Sequence, residues 1–127
     1  MSGVKNRAPF LAYSGKRFGE LDAAGYLESL IQKRRAAESE PYIWGAGAKG
    51  VTLANMFAKT AIRVQCLIDL NPAKQGRFSG GAGVPIRAPR EVIPNLEGAD
   101  VFVMNPLYLE EIASAVAPVE PNFISVA

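Results

Sequence analysis

A glycine-rich turn at residues 45–50 constrains the fold of this chain more than any other segment. Its sequence, Gly-Ala-Gly-Ala-Lys-Gly, matches G-x-G-x-x-G and lies between an apolar run at residues 42–44 and a segment of helical spacing that begins at Val51. In a strand–turn–helix unit the first glycine forms the tight turn. The second lets a phosphate approach the backbone, and the third lets the helix pack on the strand. The segment therefore predicts such a unit, with an anion site at the helix N-terminus.

The sequence from residue 41 onward alternates between apolar runs and amphipathic segments. Strands are predicted at residues 42–44, 64–70, 100–104 and 122–126, with a short edge strand at 84–86, and helices at 51–59, 89–96 and 107–116. Strands that are apolar on both faces and alternate with helices favour a parallel sheet. We predict an α/β fold, namely a three-layer, Rossmann-like open parallel sheet of four to five strands. The glycine strand should be central, in the order 3-2-1-4-5.

The first 40 residues have a different pattern. Residues 1–19 have no period and predict an irregular arm, whereas residues 20–37 have apolar residues at helical spacing and predict a helix. We interpret the basic run at residues 33–35 as cations that complement the dipole at the end of this helix. The predicted organisation is an N-terminal arm and helix at residues 1–40 and an α/β domain at residues 41–127.

Composition excludes several classes of function. A net charge of +2 is far below that of a nucleic-acid-binding domain, and no apolar run approaches the roughly 20 residues of a membrane span. We therefore expect neither nucleic acid nor a membrane as a partner. The absence of histidine excludes Ser-His-Asp and Cys-His catalysis and, with a single cysteine, the usual zinc ligands, so we predict no catalytic or metal-binding residues. One cysteine and no apolar leader segment predict a cytoplasmic location.

Polar segments follow two further predicted strands, and both should lie at the sheet edge where α/β proteins bind ligands. Asp69 ends the second strand, where an acid can bind ribose hydroxyls, and the glycines at residue 76 and residues 80–83 predict a loop that closes over a ligand. Asn105 and Tyr108 follow the third strand, and Tyr108 could stack on a base or sugar. The predicted ligand-binding residues are Gly45, Ala46, Gly47, Lys49, Gly50, Asp69, Asn71, Lys74, Gln75, Gly76, Asn105, Pro106 and Tyr108. The alternative is structural: packing glycines, a capped turn and a helix N-cap.

Three ligand classes compete for the glycine turn. S-adenosylmethionine sites usually have an acid before the first glycine, and Trp44 occupies this position, which disfavours that cofactor. NAD fits the pattern, but the chain shows neither a substrate domain nor a histidine for proton transfer. A nucleotide-diphosphate sugar makes the same pyrophosphate contacts without redox chemistry, and we favour it over NAD.

The order of these motifs resembles the C-terminal domain of sugar C-methyltransferases, which methylate deoxysugars carried on a nucleotide diphosphate. The matching segments, over residues 41–117, are I-W-G-A-G-A-K-G-V-T-L-A-N-M-F, D-x-N-P-x-K-Q-G-R-F, V-P-I-R-A-P and V-M-N-P-x-Y-L-E-E-I. The resemblance implies a Rossmann-like domain that helps to hold the nucleotide-sugar. The family's zinc-binding region and S-adenosylmethionine domain have no counterpart among these 127 residues. Where family members commonly have Pro-Gly-Thr-His, this chain has Gly-Gly-Ala-Gly at residues 80–83.

We therefore expect a nucleotide or nucleotide-sugar binding module that does not methylate by itself. Two alternatives stay open. One is an NAD-binding small enzyme, in which Asp69 would point at the ribose. The other is an accessory domain for a separate methyltransferase core, a partner chain on which the aromatic residues Phe10, Tyr13 and Phe18 could dock.

Overall fold

Five short segments pair into an open sheet in which every strand runs parallel to its neighbours. The computed structural model describes residues 23–126, and its strands are β1 (Tyr42–Trp44), β2 (Cys66–Ile68), β3 (Ile86–Arg87), β4 (Asp100–Val103) and β5 (Asn122–Ser125). Their order in the sheet is β3-β2-β1-β4-β5. The last residue of β1, Trp44, pairs with Ile68 of β2 and Val103 of β4. The predicted strand order, the central glycine strand and the short edge strand are all confirmed.

Helices cover both faces of the sheet. Successive residues of a strand point to opposite faces, and every residue of β1, β2 and β4 is buried, so both faces must be covered. On one face, Phe57 of α2 (Ala48–Lys59) packs against Phe102 of β4, with ring centroids 5.1 Å apart. On the other face, Val92 of α3 (Pro89–Val92) and Ile112 of α4 (Leu109–Val116) join one apolar cluster with the strand residue Val103. The predicted three-layer α/β fold is confirmed.

Proline shortens the third predicted helix. The segment predicted as a helix at residues 89–96 is α-helical only to Val92 and continues as a 3-10 turn at Ile93–Asn95. Pro94 has no N–H to donate to the preceding turn, so the α-helical ladder stops there. The helix predicted at residues 107–116 likewise starts with a 3-10 turn, Pro106–Tyr108, before α4 begins at Leu109.

The N-terminal helix, α1 (Ala23–Gln32), is confirmed where the structure describes it, but it ends before the predicted residue 37. It belongs to a different compact unit from the α/β residues Arg34–Val126. The predicted arm at residues 1–19 and the start of the predicted helix lie outside the described residues. The boundary predicted at residue 40 stays a prediction. Within residues 23–126, no helix has the length and apolar character needed to cross a membrane.

A buried carboxylate at the start of β4 explains the basic run. The Asp100 side chain is fully buried and pairs with the guanidinium of Arg34, Nε to Oδ2 at 3.2 Å. It also accepts hydrogen bonds from the backbone N–H groups of Arg35 and Ala36 and from Nδ2 of Asn122. The interpretation of Arg34 as a cation that complements the dipole at the end of α1 is therefore wrong. The helix has already ended at Gln32, and the Arg34 guanidinium forms an ion pair with Asp100 instead.

Candidate functional site

Two glycines of the 45–50 turn are required by the fold itself. Gly45 has φ +126°, a conformation that L side chains rarely adopt, and its N–H donates to the Ile68 carbonyl at 2.7 Å. A Cβ built on Gly50 would lie 1.9 Å from the Gly45 carbonyl oxygen, because α2 starts directly against the turn. The structural explanation of the glycines, close helix–strand packing, therefore accounts for these two positions.

Gly47 is different, because nothing in the fold requires a glycine there. Its φ of −78° is open to any residue, and a Cβ built on it meets no atom within 4 Å. It is the N-cap of α2 and offers no side chain to cap the helix. The N–H groups of the first helical turn, residues 48–50, precede the helical hydrogen-bond ladder and can serve an anion. The missing Cβ keeps this approach open.

Asp69 links the glycine turn to the loop that follows β2. Its Oδ2 accepts from the Ala46 N–H at 2.9 Å, and its Oδ1 accepts from the Asn71 N–H at 2.8 Å. The capped turn that was the structural alternative for Asp69 is thus present. The carboxylate is only half-buried, and its use on ribose hydroxyls stays a prediction.

The loop at residues 69–76 is closed by its own side chains. Asn71 Oδ1 accepts from the Ala73 N–H at 3.0 Å, and Gln75 Nε2 donates to the Asp69 carbonyl at 2.8 Å. Gly76 takes φ +83°, which allows its N–H to turn back and donate to a carbonyl of β3. Lys74 extends across to the glycine turn, where its Nζ lies 3.4 Å from the Ala46 carbonyl oxygen.

The third predicted segment follows β4, on the other side of the glycine turn. The Met104 N–H donates to the Trp44 carbonyl at 3.3 Å, which joins the ends of β4 and β1. Asn105 Oδ1 accepts from the Leu107 N–H at 3.1 Å and caps the turn that starts with Pro106, as the structural alternative expects. The Tyr108 ring is 55% exposed, so a ligand can reach it.

The structure brings all three predicted segments to one edge of the sheet. Residues 45–50, 69–76 and 105–108 follow the adjacent strands β1, β2 and β4. The bond from the Ala46 N–H to Asp69 links the first two segments, and the bond from Met104 to Trp44 joins the strand ends that lead into the first and third. Lys49 is exposed in the first turn of α2, and that turn contains no acidic residue. That the thirteen predicted ligand-binding residues bind a ligand stays a prediction.

The loop at residues 80–83 does not close over this edge, and that expectation is wrong. The Ala82 N–H donates to Oδ1 of Asn55, in the middle of α2, at 2.9 Å. This loop enters β3 from its amino end and, with Val64 and Ala58, lines a pocket of about 470 Å³. The pocket lies at the opposite edge of the sheet. The sequence did not indicate that Asn55 would hold this loop, because its partner, Ala82, is 27 positions away.

Neither a reactive thiol nor a metal cluster accompanies the site in the described part of the chain. Cys66 is buried within β2, and burial raises the pKa of its thiol to about 11, which keeps it protonated at neutral pH. Residues 23–126 contain no group of three or more Cys, Asp or Glu side chains placed to hold a metal ion. The groups present at this edge include the first-turn backbone N–H groups of α2, Lys49, Lys74, the Asp69 carboxylate and Tyr108.

Comparison with known proteins identifies one family. The family model described as the C-methyltransferase C-terminal domain matches residues 10–121, which is most of the chain. The match includes all three segments of the candidate site. No curated protein matches the sequence.

Proposed function

Because this chain belongs to the C-methyltransferase C-terminal domain family, we propose that it is a binding module for a nucleotide-diphosphate sugar. The observation that carries the proposal is Gly47, a glycine that the fold does not need, at the point where a phosphate would meet the N-terminus of α2. A pyrophosphate in that place accepts hydrogen bonds from the first-turn N–H groups and is favoured by the helix dipole.

Charge supports a phosphate ligand at this edge. Lys49 and Lys74 bring two ammonium groups to the turn and its neighbouring loop, and the carboxylate of Asp69, which lies between them, is already bonded to two backbone N–H groups. A lysine in the first turn of a helix opposes the helix dipole by about 0.3–1 kcal/mol, and a bound anion removes that conflict. In this proposal Tyr108 contacts the base or the sugar, since it is exposed and follows β4, the strand that pairs with β1.

Methylation needs groups that this proposal does not assign to the chain. The module holds the nucleotide-sugar, and the methyl donor and the proton-transfer groups belong to a separate methyltransferase core. The chain's share of the reaction is then to bind and orient the substrate, which lowers the entropic cost of bringing the reactants together.

A thermal-shift panel tests the ligand class. The panel contains dTDP, UDP, a dTDP-sugar, NAD and S-adenosylmethionine. A ligand at about 100 times its Kd stabilises by roughly 2.7 kcal/mol, on the order of 5–15 °C in a domain of this size. We expect shifts with the nucleotide diphosphates and the dTDP-sugar only. A shift with NAD alone would instead establish the dinucleotide alternative.

A pair of glycine variants places the site. Gly47→Ala and Gly80→Ala each add a methyl group where nothing lies within 4 Å, so neither should unfold the protein. Only the first is at the turn, and we expect it to weaken nucleotide-diphosphate binding at least about tenfold, because the second glycine of the turn is where the pyrophosphate approaches the backbone. Equal affinities in the two variants would place the ligand elsewhere.

One observation favours the accessory-domain function as a second candidate. Leu70, 71% exposed, and Leu107, 88% exposed, follow β2 and β4, the two strands that flank β1, and a partner covering them would remove both apolar side chains from water. We propose that this surface contacts the methyltransferase core that receives the bound substrate. Sedimentation with a nucleotide-sugar methyltransferase core lacking its own C-terminal domain tests this. Leu107→Ser should weaken the complex, whereas Phe78→Ser, which removes another exposed apolar side chain beside β3, should not.

A further inference from the structure

The polar side chains of the loop after β2 all make hydrogen bonds within the structure, and the bond made by Lys74 is the longest of them. Asp69 accepts two backbone N–H groups, Asn71 closes the turn on Ala73, and Gln75 donates to the Asp69 carbonyl. These bonds make the loop a defined scaffold rather than a variable surface turn. What the scaffold presents is the side chain of Lys74.

Lys74 has a charge that its surroundings leave without a counter-ion. Its ammonium makes one long contact, 3.4 Å to the Ala46 carbonyl, and no carboxylate of residues 23–126 forms an ion pair with it. The residue is half-buried, so part of its hydration is already lost. An ammonium has three N–H donors, and a neutral carbonyl satisfies one of them weakly. An anion at the turn would supply both the charge and the acceptors.

We propose that Lys74 is the cation that contacts the phosphate in this site and that the Asp69–Gln75 scaffold positions it. The inference rests on the proposed nucleotide site. A phosphate oxygen replaces the Ala46 carbonyl as the partner of Nζ and forms a shorter, charge-assisted hydrogen bond. Lys49 differs because its side chain is exposed in the first turn of α2 and is held by no scaffold.

The test compares two substitutions that remove the same charge. Lys74→Gln removes the proposed contact, and Lys59→Gln removes an exposed cation in the last turn of α2, about 16 Å along the helix from its first turn. The probes are pyrophosphate, which does not absorb at the excitation wavelength, and dTDP measured by calorimetry. Trp44 is the single tryptophan and directly precedes Gly45, so its fluorescence reports on the turn. Thermal unfolding of each variant checks that the fold is retained.

We expect Lys74→Gln to weaken pyrophosphate binding about tenfold or more, with an unfolding temperature close to that of the parent, because a hydrogen bond to a charged group is lost. Lys59→Gln should change the affinity less than about twofold. Lys74→Arg should keep part of the affinity, and the salt dependence of binding should fall in Lys74→Gln alone. If the parent binds and the two glutamine variants bind equally well, the role of Lys74 is refuted while the proposed function stands. If the parent binds neither probe, both are refuted.

Discussion

The substitution Gly50→Ala tests how closely α2 packs against the glycine turn, because the loss of stability it causes depends on the space available for one methyl group. In Gly50→Ala the new Cβ would lie 1.9 Å from the Gly45 carbonyl oxygen and 3.0 Å from its carbonyl carbon. Non-bonded carbon and oxygen atoms stay about 3.3 Å apart, so the two segments must separate by more than 1 Å. Both obstructing atoms belong to the backbone, and the Gly45 N–H is bonded to Ile68. Neither segment can therefore yield by a simple rotamer change.

The cost of that separation is the magnitude to test. Over-packing of a core typically costs about 1–3 kcal/mol, and a backbone clash places Gly50→Ala near the upper end, at about 3 kcal/mol. In a domain of this size that lowers the unfolding temperature by roughly 10–20 °C. Gly47→Ala is the control, because its Cβ meets nothing. The loss of N-cap preference and the gain in chain stiffness nearly offset each other there, and its stability should stay within about 1 kcal/mol of the parent.

Urea unfolding, monitored by the fluorescence of Trp44, gives the free energies of unfolding of Gly50→Ala and Gly47→Ala on the same scale. A Gly50→Ala protein whose free energy of unfolding lies within about 1 kcal/mol of the parent's would contradict the predicted clash, because α2 would then have room that the structure does not give it. A Gly47→Ala protein as unstable as Gly50→Ala would refute it in another way. In that case Gly47 would be required by the fold, and the open space beside it would no longer point to a ligand.

Asp100, Cys66 and Asn55 give the remaining predictions. Burial raises the pKa of Asp100, but hydrogen bonds from Arg35, Asn122, Ala36 and Arg34 outweigh it and hold the pKa below its ordinary value. The resulting stability is present above the unfolded pKa of about 3.9 and is lost as the pH falls through the folded pKa, so acid titration should show a stability loss below about pH 4 that Asp100→Asn lacks. That variant should be about 3 kcal/mol less stable at pH 7 by urea unfolding, since it breaks a buried ion pair. Cys66 should resist an aromatic disulfide reagent at pH 8 until the protein unfolds, because its thiol is buried and protonated; rapid labelling of the native protein would contradict this. Asn55→Ala should cost about 1 kcal/mol and leave nucleotide binding unchanged, because Asn55 holds a loop at the far edge of the sheet; a calorimetric loss of affinity would contradict that placement.

Local pattern was enough to predict most of the framework. The apolar run at Tyr42–Trp44, the glycines after it and the helix that follows are encoded by neighbours in the chain, and β1 occupies the predicted residues. The strand order followed from the rule that parallel crossovers are right-handed, applied to that alternating pattern. Since parallel strands end at one edge, the meeting of the three polar segments could also be predicted, although their binding of a ligand could not.

The roles of individual polar side chains were decided by tertiary structure. Asp69 reaches the Ala46 N–H across 23 positions, and Arg34 reaches Asp100 across 66. The basic run containing Arg34 looked like a helix end because the partner that buries it is distant in sequence. Gly47 and Gly50 belong to one motif, yet only the fold distinguishes them. A Cβ at Gly50 would clash with the backbone of Gly45, whereas a Cβ at Gly47 would meet no atom within 4 Å. Periodicity is a property of neighbouring residues and can be read along the chain. A hydrogen-bond partner or an open approach is a property of position in space, and it exists only once the sheet has brought distant residues together.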